Sequence, residues 1–310
     1  ESWELYEESL NLPVSIKEDF KVGTGITAQS LHRFEYTLPE AVGVSSKKLE
    51  DIDAYLDTIL KQKMAPGAQV LVARRGKVIY KKSFGFQTYD ELRKIEDSNV
   101  YDLASLTKIL ASLPVLMKLE ENKKISMLSS LGELLPSFEG SNKENLNLQE
   151  ILSHTAGLKA WIAFYANTLD SGTKKISKKY YNVSKSKGYP VEVANGMYLS
   201  SLYKDSIREV IKKSKLRKKG YKYSDLGYYI IKDIIEDKYG ERIDKVVDDA
   251  FYKSLGLSRT SYLPLDKFNL EQIVPTEIDD YYRNQLLRGH VHDMGAAMQN
   301  GVGGHAGLFA

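Results

Sequence analysis

Cysteine is absent from the 310 residues of this chain. Disulfide scaffolds, thiolate nucleophiles and cysteine-ligated zinc are therefore excluded. Long hydrophobic runs are absent too, and none approaches the ~18–20 apolar residues that a membrane helix needs. Proline is scarce, at 8 residues, and neither a collagen-like repeat nor a Pro/Gly-rich disordered chain fits the composition. The opening ESWELYEESL has neither the basic start nor the apolar stretch of a signal peptide. Without an initiator Met it reads as a processed or truncated start. A strong overall charge is also missing, the formal net being +3.

Hydrophobic residues make up 42% and charged residues 27%, an ordinary globular balance with enough apolar mass for a core. At ~100–200 residues per domain, the length suits one large domain or two modest ones. The small net charge hides an uneven distribution. Residues 171–222 hold thirteen Lys and two Arg against Glu192, Asp205 and Glu209, a local +12 that leaves −9 for the remainder. No nucleic-acid motif accompanies this block, so it is expected to be a solvated Lys-rich insertion, with no nucleic-acid partner.

Helical spacing of Leu49, Ile52, Leu56 and Ile59, with Ser45 or Ser46 as cap, predicts a helix there. AQVLVARRGKVIYKKSFG (68–85) reads as two strands turning at Arg75-Gly76. A second helix is expected over 105–121, kinked at Pro114. Shorter helices are expected at 147–153 and 242–254, and a strong amphipathic one over 225–240 closed by Gly240. A two-stranded sheet is too small to stand alone. The expected architecture is α+β with an incomplete sheet, which points to truncation at the C-terminus.

Chemistry concentrates at Ser105 and Lys108 in YDLASLTKILASL. A serine and a lysine three apart on a helix lie on one face, so the amine can reach the hydroxyl. A helix N-terminus and burial both disfavour an extra cation, which would leave a neutral amine as base. Ser-x-x-Lys occurs five times, at Ser45, Ser105, Ser171, Ser184 and Ser201. Only the Ser105 copy opens a long apolar helix after an extended segment. The second candidate is Tyr223-Ser224-Asp225, where a phenol could serve a hydroxyl or a leaving group. Against it, Tyr221, Tyr223, Tyr228 and Tyr229 could equally be core packing. Gly289-His290-Val291-His292-Asp293 with His305 offers a third possibility, a divalent-metal site, but further ligands at the expected spacing are missing. The reading is no metal and no cofactor.

YDLASLTK resembles the nucleophile motif of serine β-lactamase-like hydrolases, the group of class C β-lactamases, D-Ala-D-Ala carboxypeptidases and related esterases. PGAQVLVARRGKVIYKKSFG (66–85), LQEILSHTAGL (148–158), YKYSDLGYYIIKDIIE (221–236) and FYKSLGL (251–257) resemble further elements of that family, in order. The resemblance implies a β-lactamase/penicillin-binding-protein-like fold: an antiparallel sheet flanked by helices, plus a mostly helical subdomain. It makes Ser105 the acyl-forming nucleophile, Lys108 its base partner and Tyr223 the proton shuttle. His154 takes a structural place. Asp225 stands where β-lactamases usually have Asn; an ionised carboxylate only accepts hydrogen bonds and would favour a charged Lys108, which moves base duty towards Tyr223. Asp225, Trp161 and Tyr165 are expected to bind substrate. His305, in His305-Ala306-Gly307, is the nearest candidate for the family's third motif.

LPVSI…GTGI (12–26) and the stretch 275–309 resemble bacterial fusions of a glycoside hydrolase family 3 β-N-acetylglucosaminidase with a β-lactamase-like module. On that likeness residues 1–40 are the tail of a glycosidase and a linker, and 41–310 the hydrolase domain. The implied partners are a small molecule or peptidoglycan fragment and a covalently linked upstream glycosidase, with no membrane span in this chain. The implied location is the bacterial cell envelope, periplasmic or secreted. The competing reading is a catalytically silent cell-wall-binding module.

Overall fold

The computed structural model describes residues 34–173 and 175–310. The expectation for segment 12–26 lies outside them. The described residues divide into two compact units, one ending at Ser98 and the other spanning Asn99–Ala310.

In the first unit, β1 (Glu35–Tyr36) is followed by α1 (Ser46–Lys61), then β2 (Gly67–Arg74) and β3 (Lys77–Gly85). The apolar stripe foreseen on α1 is its buried side: Leu56 is buried and Leu49, Ile52 and Ile59 half-buried. β2 and β3 pair antiparallel from Gly67↔Gly85 to Arg74↔Lys77. Arg75 (φ 53°) and Gly76 (φ 74°) make the tight turn. Positive φ at both central residues matches the right-handed twist of the flanking strands. β1 adds a short parallel strand on β3, so the sheet has three strands where the sequence suggested two.

The second unit holds α2 (Leu113–Glu121), α3 (Leu131–Leu134), α4 (Leu148–Leu152), β4 (Tyr181–Asn182), β5 (Val191–Ala194), β6 (Met197–Leu199), α5 (Lys204–Lys213) and α6 (Leu226–Tyr239). After these come α7 (Ile243–Val247), β7 (Ser261–Tyr262), β8 (Glu277–Asp279), β9 (Gln285–Leu287), α8 (Met294–Ala297) and β10 (Leu308–Phe309). No described helix is long and apolar enough to cross a membrane.

α6 is the pillar of this unit. Leu226, Tyr228, Tyr229, Ile230, Ile231, Ile234 and Ile235 are all buried, so apolar contact surrounds most of its circumference. Gly240 ends it in the left-handed conformation (φ 67°), its N–H returning to Glu236 O at 2.9 Å, as foreseen. α4 starts on a capping box in which Asn147 and Glu150 satisfy each other's backbone N–H groups.

Two expectations need correction. The helix expected over 105–121 is not uniform: a π-helical turn gives way to α2 at Leu113, directly before Pro114, so the irregularity expected at the proline is a change of helix type. Upstream of it, Ala104–Leu106 is a 3₁₀ turn and Lys108–Ser112 a π-helical turn. Residues 171–222 are also more than solvated loop. They carry the sheet β4-β6-β5, with Val191, Val193, Ala194, Met197 and Leu199 buried. Its described lysines nonetheless stay on the surface, Lys212 half-buried and the rest exposed.

Lys143, outside that block, is fully buried. It donates to Asn142 Oδ1 (2.9 Å), Lys212 O (3.1 Å) and Ser214 O (2.6 Å), closing the C-terminal end of α5. Burial pushes its amine down to about 8, and the charge of Lys159 adds to this. Below about 8 both folded and unfolded chains carry the charge, and the cost of burying it is felt in full. Between about 8 and the ordinary 10.5 the unfolded chain holds a proton that the folded one has released, so stability rises with pH. The urea midpoint of the wild type relative to Lys143→Met is therefore expected to increase from pH 8 to pH 10. An unchanged difference would remove this account.

Candidate active site

Residues 101–103 run antiparallel to the C-terminal segment, with a single β-bridge between Asp102 and Phe309. Tyr101 and Ala310 exchange backbone hydrogen bonds (2.8 and 3.2 Å), and Leu103 N donates to Leu308 O at 2.9 Å. β10 pairs in turn with β7. The chain then reverses at Ala104, whose φ of 44° is left-handed. Ser105 follows, exposed. Thr107 is fully buried, and its Oγ1 accepts from Leu308 N at 3.1 Å. The turn that carries Ser105 is thus stitched to the final strand on both sides of it.

Lys108 lies in the following π-helical turn, 3% exposed. Its Nζ is 2.9 Å from Ser105 Oγ, 2.7 Å from Asp225 Oδ1 and 3.4 Å from His305 O. The same Nζ sits 4.9 Å from the centroid of the Tyr223 ring and 5.5 Å from that of Tyr228, within cation–π range. Ser105, Lys108, Tyr223 and Asp225, drawn from two sequence motifs, are gathered around one ammonium. The helix N-terminus expected at Ser105 is replaced by the 3₁₀ turn, and Lys108 is paired with Asp225.

The 221–225 segment is held from below. Lys222 N donates to His154 O (2.9 Å), Asp225 N to Ala160 O (2.9 Å), and Ser224 Oγ to Lys159 O (2.6 Å). Ser224 N donates to His154 Nδ1 at 3.2 Å, and the His154 ring lies 4.6 Å from that of Tyr223. Burial lowers the His154 imidazole, as does the charge of Lys108; a neutral ring can accept that N–H. His154 therefore fixes the tyrosine loop and takes no hydrogen bond to Ser105. The four tyrosines divide: Tyr228 and Tyr229 are core, while Tyr221 and Tyr223 are 76% and 42% exposed.

Other predicted residues fall elsewhere. Trp161 is exposed, one residue beyond the carbonyl that anchors Asp225. Tyr165 is half-buried against Tyr282, ring centroids 4.8 Å apart. His305 does not offer its side chain to a ligand: it is 1% exposed, stacked on Tyr229 (4.1 Å) with Nε2 2.8 Å from Asp293 Oδ1. Only its carbonyl faces the site. The three histidines of the metal reading are dispersed as well. His290 faces Glu192, His292 faces Glu277 and His305 faces Asp293. No group of three metal-ligating side chains exists among the described residues.

Reading the sequence did not single out Asp102 or the working role of Asp293. Asp102 takes N–H groups from Ala104 (2.8 Å) and His292 (2.7 Å), while burial pushes its carboxyl up. Asp293 caps α8 through Ala296 N (2.7 Å). Burial works to raise it, yet His305 outweighs that and holds it well below the usual carboxylate range. An Asp just before a run of small helix formers is an N-cap signal that could have been found.

Gly304 has no room for a side chain. A Cβ there would lie 2.2 Å from Tyr228 O and 3.2 Å from Ser112 Oγ, and Ser112 Oγ already donates to Gly304 O at 2.7 Å. Gly304→Ala is expected to destabilise by about 1–3 kcal/mol and to shift the neighbouring His305 carbonyl away from Lys108. A melting temperature equal to wild type would contradict this.

The β-lactamase family profile matches residues 52–308. The chain belongs to the β-lactamase family. It is 28% identical over 296 residues to an N-acetylmuramyl-L-alanine amidase of Bacillus subtilis (strain 168), covering 87% of this chain and 62% of that protein. It is also 28% identical over 300 residues to a protein of Escherichia coli (strain K12) whose name contains the words D-alanyl-D-alanine carboxypeptidase, covering 88% and 63%. The chain thus spans a little over three fifths of these curated relatives. The octameric penicillin-binding protein homologue from Pyrococcus abyssi superposes with a TM-score of 0.59 at 17% identity, over 84% of this chain and 53% of that one. The fold is the β-lactamase/penicillin-binding-protein-like α+β fold with small antiparallel sheets.

Proposed function

We propose that this family hydrolase works through an acyl-enzyme on Ser105, with peptidoglycan-type D-alanyl amides as substrates and β-lactams or small esters as related acyl donors. The observation that carries the proposal is Lys108 Nζ bridging Ser105 Oγ (2.9 Å) and Asp225 (2.7 Å) beside the Tyr223 ring. Nucleophile, proton carrier and orienting carboxylate lie within hydrogen-bond reach in sequence, the arrangement that activates a hydroxyl.

In this reading Ser105 Oγ attacks the acyl carbon. A C–O bond forms, the bond to the leaving amine or alcohol breaks, and the serine proton passes by way of Lys108 and Tyr223 to the leaving group. Water then releases the acid. Asp225 holds the Lys108 amine in place against Ser105, and the half-exposed Tyr223 carries the proton onward. The Ser105 N–H supplies one oxyanion donor. Asp225, as acceptor, suits a substrate N–H; exposed Trp161 and half-buried Tyr165 supply apolar wall. The names of the relatives, an amidase and a carboxypeptidase, support cell-wall amides and an envelope location. The likeness to bacterial fusions supports a glycosidase module upstream.

The test treats the full-length protein with labelled penicillin and with a fluorophosphonate, then maps the adduct by peptide mass. An adduct on Ser105 is expected. No adduct, or one on another side chain, defeats the proposal. Saturable muropeptide binding without any adduct selects the silent binding module.

A further inference from the structure

We propose that Asp102 is a positioning residue, a strut that sets the nucleophile turn and ties it to the segment carrying His305. This rests on the reading of Ser105 as nucleophile. Ala104, directly before Ser105, has φ 44°, a conformation that a residue with a Cβ resists. Its φ and ψ decide the direction in which Ser105 leaves the strand-paired 101–103 segment. One oxygen of Asp102 accepts the Ala104 N–H at 2.8 Å. An Asp that binds the N–H two residues onward builds a turn of its own and offsets the cost of the left-handed residue within it.

A turn alone would need only one oxygen. The other oxygen of Asp102 accepts the His292 N–H at 2.7 Å, from a segment 190 residues further along. The next residue, Asp293, meets His305 Nε2 at 2.8 Å. The His305 carbonyl faces Lys108 Nζ at 3.4 Å, and Lys108 Nζ faces Ser105 Oγ at 2.9 Å. The circuit closes from Ser105 back to Ala104 and Asp102. Nucleophile and amine are therefore held from two directions by one ring of contacts, and Asp102 is the only member that grips both the turn and the 292 segment with a single carboxylate.

The chemistry of the side chain predicts which substitution breaks it. A carboxylate accepts through both oxygens; an amide accepts through one and donates from the other end. Asp102→Asn keeps the shape but sets an NH₂ against one of the two N–H groups. The turn then loses one anchor, and small misplacement of reacting groups is expensive in rate.

The experiment follows fluorophosphonate labelling of Ser105 in the full-length protein over a range of probe concentrations. Asp102→Asn is expected to lower the maximal labelling rate at least ~10-fold, with the half-saturating probe concentration within about twofold of wild type. Adding Ala104→Gly to Asp102→Asn should restore most of that rate, because glycine takes the left-handed conformation without a strut. A general packing defect would not be rescued in this way. A wild-type rate in Asp102→Asn, or no recovery in the double variant, overturns the proposal while Ser105 remains the nucleophile. An adduct away from Ser105 in the wild type removes the reading of Ser105 and this inference with it. Asp102→Ser, which keeps an acceptor for one N–H only, serves where Asp102→Asn does not fold; a wild-type rate in it overturns the proposal equally.

Discussion

Ser105→Ala is expected to lower turnover of a D-alanyl amide or ester by at least ~10⁴-fold and to leave melting unchanged. Ser105 is exposed and donates to no other side chain, so its loss leaves no cavity and no orphaned buried group. What it removes is the hydroxyl that lies 2.9 Å from Lys108 Nζ. Lys108→Met is expected to cost about as much in rate. General acid–base assistance alone contributes ~10²–10⁴, and Asp225 would lose its partner. Because serine and lysine act as one unit, the double variant should be little worse than either single one. Additive losses would show that the two work independently, and turnover persisting in Ser105→Ala would place the chemistry elsewhere. Lys108→Arg sharpens the test: it keeps the charge beside Asp225 but supplies a group that does not give up its proton. A wild-type rate in Lys108→Arg would mean the amine serves only as a fixed cation.

The largest expected effect on stability lies at Arg283. Its Nε donates to Asp279 Oδ2 (2.6 Å), and its Nη1 and Nη2 to Val291 O (2.8 Å) and His292 O (2.6 Å). Both charged side chains have zero exposure. Asp279 also accepts from Tyr282 N at 2.8 Å. Burial works to raise its carboxyl, but the hydrogen bond from Arg283 and its charge bring it below its ordinary value. Arg283→Met strands a buried carboxylate and two carbonyls, so it is expected to destabilise by about 3–5 kcal/mol. The double variant Asp279→Leu/Arg283→Met should lose less than Arg283→Met alone, since no charge is then left unpaired. Urea denaturation of the three proteins measures both statements. A double variant less stable than the single one would refute the account. The effect should also reach the active site, because the carbonyl that Arg283 holds belongs to His292, whose N–H is held by Asp102.

Local patterns carried a good part of this molecule. The period of Leu49, Ile52, Leu56 and Ile59 marks the buried side of α1, and Arg75-Gly76 marks the hairpin. Gly240 ends α6 in the conformation that only glycine adopts freely. Each of these depends on residues within one or two turns of one another. The reading failed where distant segments compete. The helix expected from Ser105 became a 3₁₀ turn and a π-helical turn, because residues 101–103 and Thr107 are bonded to the final strand and Lys108 must face Asp225. The sheet inside 171–222 was hidden by exposed lysines flanking short strands whose buried residues touch partners far along the chain.

The amino-acid order alone determined the family, through several motifs in sequence, and brought forward Ser105, Lys108, Tyr223 and Asp225 as chemical groups. Only the tertiary structure decided their neighbours: that Lys108 is paired with Asp225, that His305 turns its ring inward to Asp293 and shows the site only a carbonyl, and that Asp102 accepts N–H groups from both Ala104 and His292. The reason is physical. Side-chain type and spacing are local properties, readable one segment at a time. Which buried ion finds which partner is set by desolvation and hydrogen bonding between segments 117 to 197 residues apart, and that exists only once the chain has folded.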